Sequence, residues 1–180
     1  MPEVPGRVFD MNRDLGVRAA QRKGKRRFPG LPPSAKPARM AKQYWLMKSE
    51  PDAYAWDQLV RDGTGIWDGV RNHSAKLNMM AMKAGDEALF YHSNIGKECV
   101  GIMRIVEDSF PDPTADEGSP WVVVRVEPVR ALGHPVTLAA IKADPKLADM
   151  DLIRLSRLSV GRVTPAEWQH ILQKSEKPGG

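Results

Sequence analysis

The sequence lacks any apolar run long enough to cross a membrane: uncharged stretches such as Ala88 to Tyr91 or Trp121 to Val124 fall far short of the roughly 20 residues a spanning helix needs. It holds one cysteine, Cys99, which excludes an internal disulfide, and it has no CxxC, Cys/His cluster or HExxH from which a zinc site could be built. Neither a metal nor a cofactor is expected. No apolar stretch of about 7–15 residues follows the early basic residues, so a secretory leader is not expected either. Aromatic residues are few, at 7%, yet five of them are tryptophans.

What is present suits a packed domain. The 180 residues are 42% hydrophobic and 27% charged, proportions that exclude a wholly disordered or fibrous chain and predict one domain with an appendage. The appendage carries the excess charge. Residues 1–40 hold 10 of the 27 Lys and Arg and 3 of the 22 Asp and Glu, which leaves 17 basic against 19 acidic residues in the remainder. The run Arg22, Lys23, Lys25, Arg26, Arg27 is followed by Pro29, Pro32, Pro33 and Pro37 without apolar periodicity, so a largely disordered tail is predicted. Three readings of it stay open: an arm that contacts phosphate, a basic address signal, or an over-extended gene start ahead of Met40.

From Lys42 onward, short apolar runs alternate with turn residues. Tyr44 to Lys48 reads as a first strand closed by Pro51, and Ala55 to Arg61 as a helix stopped at Asp62-Gly63. Ile66 to Val70 is a loop or strand fragment. Asn72 is set to cap a helix carrying Ala75, Met79 and Met82. Asp86 to His92, Cys99 to Val106 and Trp121 to Val129 read as three strands of one sheet, separated where Pro111, Pro113 and Gly118 mark a loop. Helices are predicted at Leu138 to Ala143 and Leu147 to Leu155, then a short strand at Arg157 to Val160. A final helix opens on a capping box, Thr164 with Pro165 and Glu167. The tryptophans Trp45, Trp56, Trp121 and Trp168 are expected in the core.

The chain offers no catalytic constellation. Gly63-Thr64-Gly65 lacks the Lys-Ser/Thr of a phosphate loop and the GxGxxG spacing. His92 and Ser93 are neighbours on a strand and point to opposite faces, which leaves them unable to act on each other. Cys99 falls in a strand, where a small buried hydrophobe is expected. Trp67 differs from the other tryptophans because it lies between glycines, in Gly65-Ile66-Trp67-Asp68-Gly69, shortly before Asn72. A loop-borne indole with Asn and Ser groups beside it suits a flipped nucleobase, which needs one flat apolar face and hydrogen bonds to its polar edge.

Four strings carry a resemblance: Tyr44-Trp45-Leu46-Met47-Lys48-Ser49-Glu50-Pro51, Trp67-Asp68-Gly69-Val70-Arg71-Asn72, Gly85-Asp86 with Phe90-Tyr91-His92-Ser93, and Arg157-Leu158-Ser159-Val160. In this order they resemble the EVE domain family over about residues 42–175. The resemblance implies an α+β, PUA-like fold, a small curved β-barrel with flanking helices, related to the YTH domains that read methylated adenine in RNA. It also implies non-catalytic binding of modified bases of the 5-methylcytosine type in nucleic acid, an EVE domain at 41–175, and a flexible C-terminus at 176–180. Carried over by position, Lys48, Ser49, Trp67, Asn72, Tyr91 and Ser93 would line the pocket, with Arg157 and Ser159 near it. Many relatives have Tyr-Gln-Ala-Arg-Asn where this chain has His73-Ser74-Ala75-Lys76-Leu77. The expected partner is nucleic acid carrying a modified base, with no membrane, and the expected state is a monomer, cytoplasmic in a bacterium and nuclear in a eukaryote. A PUA-type module for structured RNA and a nucleotide-processing enzyme are the alternatives.

Overall fold

The computed structural model describes residues 41–177, so the expected basic tail and residues 178–180 lie outside it. Its architecture follows from one parallel strand pair. β1 (Tyr44–Ser49) lies beside β3 (Glu87–His92), with Tyr44 opposite Glu87 and Ser49 opposite His92. Parallel neighbours cannot be joined by a hairpin and need a crossover. Here the crossover is α1 (Trp56–Asp62), β2 (Gly65–Trp67) and α2 (His73–Ala81). β4 (Glu98–Pro111) and β5 (Val122–Thr137) then follow antiparallel to their predecessors. After β5 come α3 (Leu138–Lys142), a 3-10 turn at Pro145–Leu147, α4 (Asp151–Arg154), β6 (Val160–Val163) and α5 (Pro165–Ser175). The six strands are ordered β2-β5-β4-β3-β1-β6. The α+β class stands as expected, but the sheet is open, with β2 and β6 at its two edges rather than joined in a closed barrel. No helix among the described residues is long and apolar enough to cross a membrane.

Successive side chains of a strand face opposite sides, and the central strands bury both. Trp45, Met47 and Phe90 face one core with Trp56, Leu59, Trp67, Met79 and Met82 of the crossover. Leu46, Leu89 and Tyr91 face the other, with Ile141, Leu147, Met150, Trp168 and Ile171. Cys99 is fully buried there, as expected. The single buried carboxylate at the base of β3, Asp86, is satisfied by the indole N–H of Trp45 and the amides of Gln43 and Lys83, each at 3.1 Å. The two predicted caps form: Asn72 Oδ1 accepts from the Ala75 amide at 2.9 Å, and Thr164 and Glu167 close a capping box.

Three expectations are corrected. The last strand is Val160–Val163 rather than Arg157–Val160, since antiparallel pairing sets Val160 opposite Met47 and leaves Arg157 exposed in the preceding turn. The helix expected over Leu147 to Leu155 is two short turns, because Met150 is extended (ψ 141°) and buries its side chain between them. Trp121 is only half-buried, with the Arg71 guanidinium 5.8 Å from its ring centroid. β4 and β5 also run longer than predicted. Bulges explain how β5 passes through Pro128: the register shifts between Ile102 and Met103, where the missing N–H of proline breaks no regular ladder.

At Gly101 on β4 the crossover packs tightly against the sheet. A Cβ there would lie 2.5 Å from three ring carbons of Trp56, a rigid and buried indole. Gly101→Ala is expected to destabilise the domain by about 1–3 kcal/mol through overpacking, read as a lower urea midpoint by tryptophan fluorescence. An unchanged midpoint would show that Trp56 can shift.

Candidate functional site

The parallel pairing brings the C-terminal ends of β1 and β3 side by side, and a cleft opens where the chain leaves β1 for the crossover. Its volume is about 530 Å³, and its lining includes Lys48, Ser49, Tyr54, Asp62, Trp67 and Asp68. Each wall is held by a local device. Ser49 Oγ donates to the Tyr54 carbonyl at 2.6 Å, folding residues 50–54 back over the end of β1. Gly63, at φ 71°, ends α1 in the left-handed conformation that lets the chain turn into β2. β2 then pairs with β5, with Trp67 opposite Val124.

The cleft is aromatic at its floor and polar at its rim. Trp67 meets Phe90 edge-on at 5.3 Å and Tyr54 edge-on at 6.5 Å between centroids. The Tyr54 hydroxyl is buried and has no hydrogen-bond partner among the described residues. Its pKa is raised, chiefly by burial, then by the charge of the Asp62 carboxylate and its approach toward the hydroxyl, which stops short of a hydrogen bond of ordinary geometry, and last by the charge of Asp68. Gly65 makes room for it, since a Cβ there would lie 2.5 Å from the hydroxyl oxygen. Asp62 accepts from Gln58 Nε2 at 2.7 Å, which fixes one of its oxygens. On the other side Lys48 reaches over to donate to the Ser156 carbonyl at 2.9 Å, and partial burial lowers its pKa.

His92 holds the crossover in place. The first amide of α1 has no acceptor within the helix, and the Trp56 N–H instead donates to His92 Nε2 at 3.2 Å. That bond requires an unprotonated Nε2. Burial lowers the His92 pKa, against the opposing pull of Glu98 and Asp57. The nitrogen is therefore engaged in structure, and neighbouring Ser93 gains no base from it.

Seven of the eight residues expected at the site fall into three depressions. Lys48, Ser49 and Trp67 line the cleft, although Trp67 is also a core residue, 5% exposed, so only a strip of its indole reaches the cavity. Tyr91 and Ser93 line a second depression of about 200 Å³, and burial pushes the Tyr91 hydroxyl up to about 12. Asn72 and Arg157 line a third of about 350 Å³, Asn72 with its Oδ1 already spent on capping α2. Ser159 lines none of the three; its carbonyl accepts the Lys48 amide at 2.8 Å. The depressions are linked, the first to the second by Lys48 and the second to the third by Ser156. Sequence reasoning missed Tyr54, Asp62 and Asp68. Asp68 lay inside a motif already singled out, whereas nothing local marks Tyr54, whose role depends on Gly65 across the turn.

Fold and cleft together define a small α+β domain with a mixed, open sheet and an aromatic cleft, rimmed by carboxylates, at the end of its parallel strand pair. The chain belongs to the EVE domain family, whose profile matches residues 43–174. It is similar to a protein of Rhodopseudomonas palustris solved by NMR, at 51% identity and a TM-score of 0.71, over 74% of this chain and 93% of that one. It is also similar to human thymocyte nuclear protein 1, at 33% identity over 74% of each chain. A crystal structure of that human protein in complex with DNA containing 5-methylcytosine superposes with a TM-score of 0.69 at 32% identity, covering 76% of this chain and 99% of that one.

The His92 contact makes stability depend on pH. In the folded protein the imidazole stays neutral below its ordinary pKa of about 6.5, while the unfolded chain takes up the proton there. Its contribution is complete above about pH 6.5 and is lost as pH falls from that value toward the lowered folded-state pKa. Thermal melts at pH 7.5 and 5.5 should show a drop in Tm that His92→Gln, which keeps an acceptor but does not titrate, reduces. An equal drop in both proteins would assign the pH dependence elsewhere.

Proposed function

We propose that the chain is a reader that captures a modified base of nucleic acid in the Trp67 cleft, binding it without turnover. The observation that carries this reading is the cleft itself, an indole strip and the unpartnered Tyr54 hydroxyl facing two carboxylates, in a chain that shares its family with a protein solved on DNA containing 5-methylcytosine. The chemistry of the rim favours bases with an amino group. A carboxylate accepts from the N4 amino group of cytosine but opposes the O4 acceptor of thymine, and Asp62 and Asp68 supply such carboxylates. Lys48, with N–H groups beyond the one given to the Ser156 carbonyl, stands as a donor for the acceptor side of the same edge, and Ser49 Oγ, its proton committed to the Tyr54 carbonyl, offers an acceptor.

Magnitudes rank the contributions. One buried methyl is worth about 0.8 kcal/mol, roughly a fourfold preference, whereas stacking on an aromatic contributes about 1–3 kcal/mol whether or not the base is modified. Discrimination by the polar edge is larger than by the methyl, because a mismatched partner leaves buried groups unpaired at about 1–3 kcal/mol each. 5-Methylcytosine and thymine carry the same methyl group and differ at position 4, so they separate the two effects.

The test is a titration of the full chain against matched oligonucleotides bearing cytosine, 5-methylcytosine, 5-hydroxymethylcytosine or thymine at one position, as DNA and as RNA. The expected order places 5-methylcytosine a few-fold above cytosine and well above thymine. Tyr54→Phe keeps the ring and removes only the hydroxyl; it should leave Tm unchanged or raised and weaken 5-methylcytosine binding by about 2- to 10-fold. Asp68→Asn should narrow the gap between 5-methylcytosine and thymine. Binding indifferent to the base, or unaltered in both variants, would overturn the reading, and a preference for structured RNA regardless of modification would replace it with a general RNA-binding role.

A further inference from the structure

Two of the three linked depressions lie outside the Trp67 cleft to which the proposed reading assigns the base, and their chemistry is of one kind. The second is lined by Lys48, Lys97 and Lys142, with Ser93, Asn94 and Ser156 among its polar groups. The third is lined by Arg154 and Arg157 with Asn72, Ser74 and Ser156. No Asp or Glu lines either one. Six surface cations are matched, Lys42 with Glu87, Arg71 with Asp112, Lys83 with Asp108, Arg104 with Glu127, Arg125 with Glu107 and Lys174 with Asp144, and the unmatched ones outside these depressions, such as Arg61, Lys76 and Arg130, line none of the three. Among the described residues, Lys48, Lys97, Lys142, Arg154 and Arg157 form no ion pair, and they line neighbouring depressions that share Lys48 with the cleft and Ser156 with each other.

A row of unpaired cations with hydroxyl and amide groups between them is the surface that a chain of phosphodiesters fits: cations displace counterions from phosphate, and neutral donors fix the register. We infer that the path from Lys48 through Lys97 and Lys142 to Arg154 and Arg157 is a track for the sugar-phosphate backbone on one side of the captured nucleotide. The inference rests on the base-capture reading for its starting point, since Lys48 is the wall that cleft and track share. Lys97 sits at φ 52° at the end of the turn between β3 and β4, so the turn geometry presents its side chain at this position. The ligand chemistry is a phosphate ester, which a nucleic-acid strand or a free nucleotide could bring.

The test measures the salt dependence of oligonucleotide binding by the full chain, for the wild type and two double variants. Lys97→Asn with Lys142→Gln clears the second depression, with Asn chosen because it tolerates the left-handed backbone; Arg154→Gln with Arg157→Gln clears the third. Lys48 is left intact because it also lines the cleft. Each neutralised phosphate contact contributes about 0.7–0.9 to the slope of log K against log salt. Each double variant is therefore expected to lower that slope by about 1.4–1.8, with melting temperature retained and with affinity for 5-methyl-2′-deoxycytidine, which has no phosphate, unchanged. Unaltered slopes in both variants would overturn the track and leave the charge dependence to residues 1–40. An equal loss of nucleoside affinity would also overturn it, by assigning these side chains to the cleft. If 5-methyl-2′-deoxycytidine monophosphate weakens in the variants while the oligonucleotide slopes hold, the phosphate is that of a free nucleotide and the strand track fails. The slopes are read on modified and unmodified oligonucleotides alike, so a wild type that ignores modification would defeat base reading while still deciding the track.

Discussion

The parallel register of β1 and β3 is the constraint on which the rest of the domain depends. Setting Ser49 opposite His92 obliges the 37 residues between β1 and β3 to cross the sheet, and the crossover can seat itself only by burying Trp56, Leu59, Trp67 and Met79 on that face. The same register puts the end of β1 beside the end of β3, where the Ser93 amide donates to the Ser49 carbonyl at 2.8 Å. Cleft, crossover and β3–β4 turn meet at this corner. Gly101 and His92 complete the seating, one by leaving room for the Trp56 ring and the other by accepting its amide.

Polar side chains divide into those used by the fold and those left to a ligand. Asp86, Asp112, Asn72, His92 and Arg71 are each engaged by named partners inside the domain. A buried group that is satisfied in this way stabilises the fold and has little left to offer a substrate. The Tyr54 hydroxyl and four basic residues of the track, Lys97, Lys142, Arg154 and Arg157, are the opposite case, polar groups placed at depressions with no side-chain partner among the described residues. This division separates scaffold from site more sharply than residue type does. Asn72, which looks like a base-reading amide in the sequence, spends its Oδ1 on a helix cap, and Trp67 is mostly core.

The cleft and the track have complementary charge. The carboxylates of Asp62 and Asp68 oppose phosphate and suit an amino group, while the acid-free path beyond Lys48 suits phosphate. With opposite charges so arranged, the proposed reading gives a nucleotide one favoured orientation, base inward at the carboxylates and backbone outward along the cations. Specificity then comes from the rim and affinity from the track, a separation also seen in how phosphate contacts position and base contacts specify.

The elements most legible in the sequence were those set by neighbours within a few positions. The caps at Asn72 and Thr164, the breaks at Pro51 and Gly63 and the burial of Trp45, Trp56 and Trp168 all follow from local spacing and side-chain type. The order of four motifs was likewise enough to mark the family. What the sequence alone did not determine were contacts between distant positions. The shift of the last strand to Val160–Val163 depends on its pairing with β1, the half-exposure of Trp121 on Arg71, and the division of seven of the eight expected residues among three depressions on where loops far apart in the chain come together. Lys48 finds its acceptor on Ser156, 108 positions away. Helix caps and strand alternation are properties of a few consecutive residues, while a cleft exists only between segments that folding has brought side by side, which is why Tyr54 and the basic track became visible only in the tertiary structure.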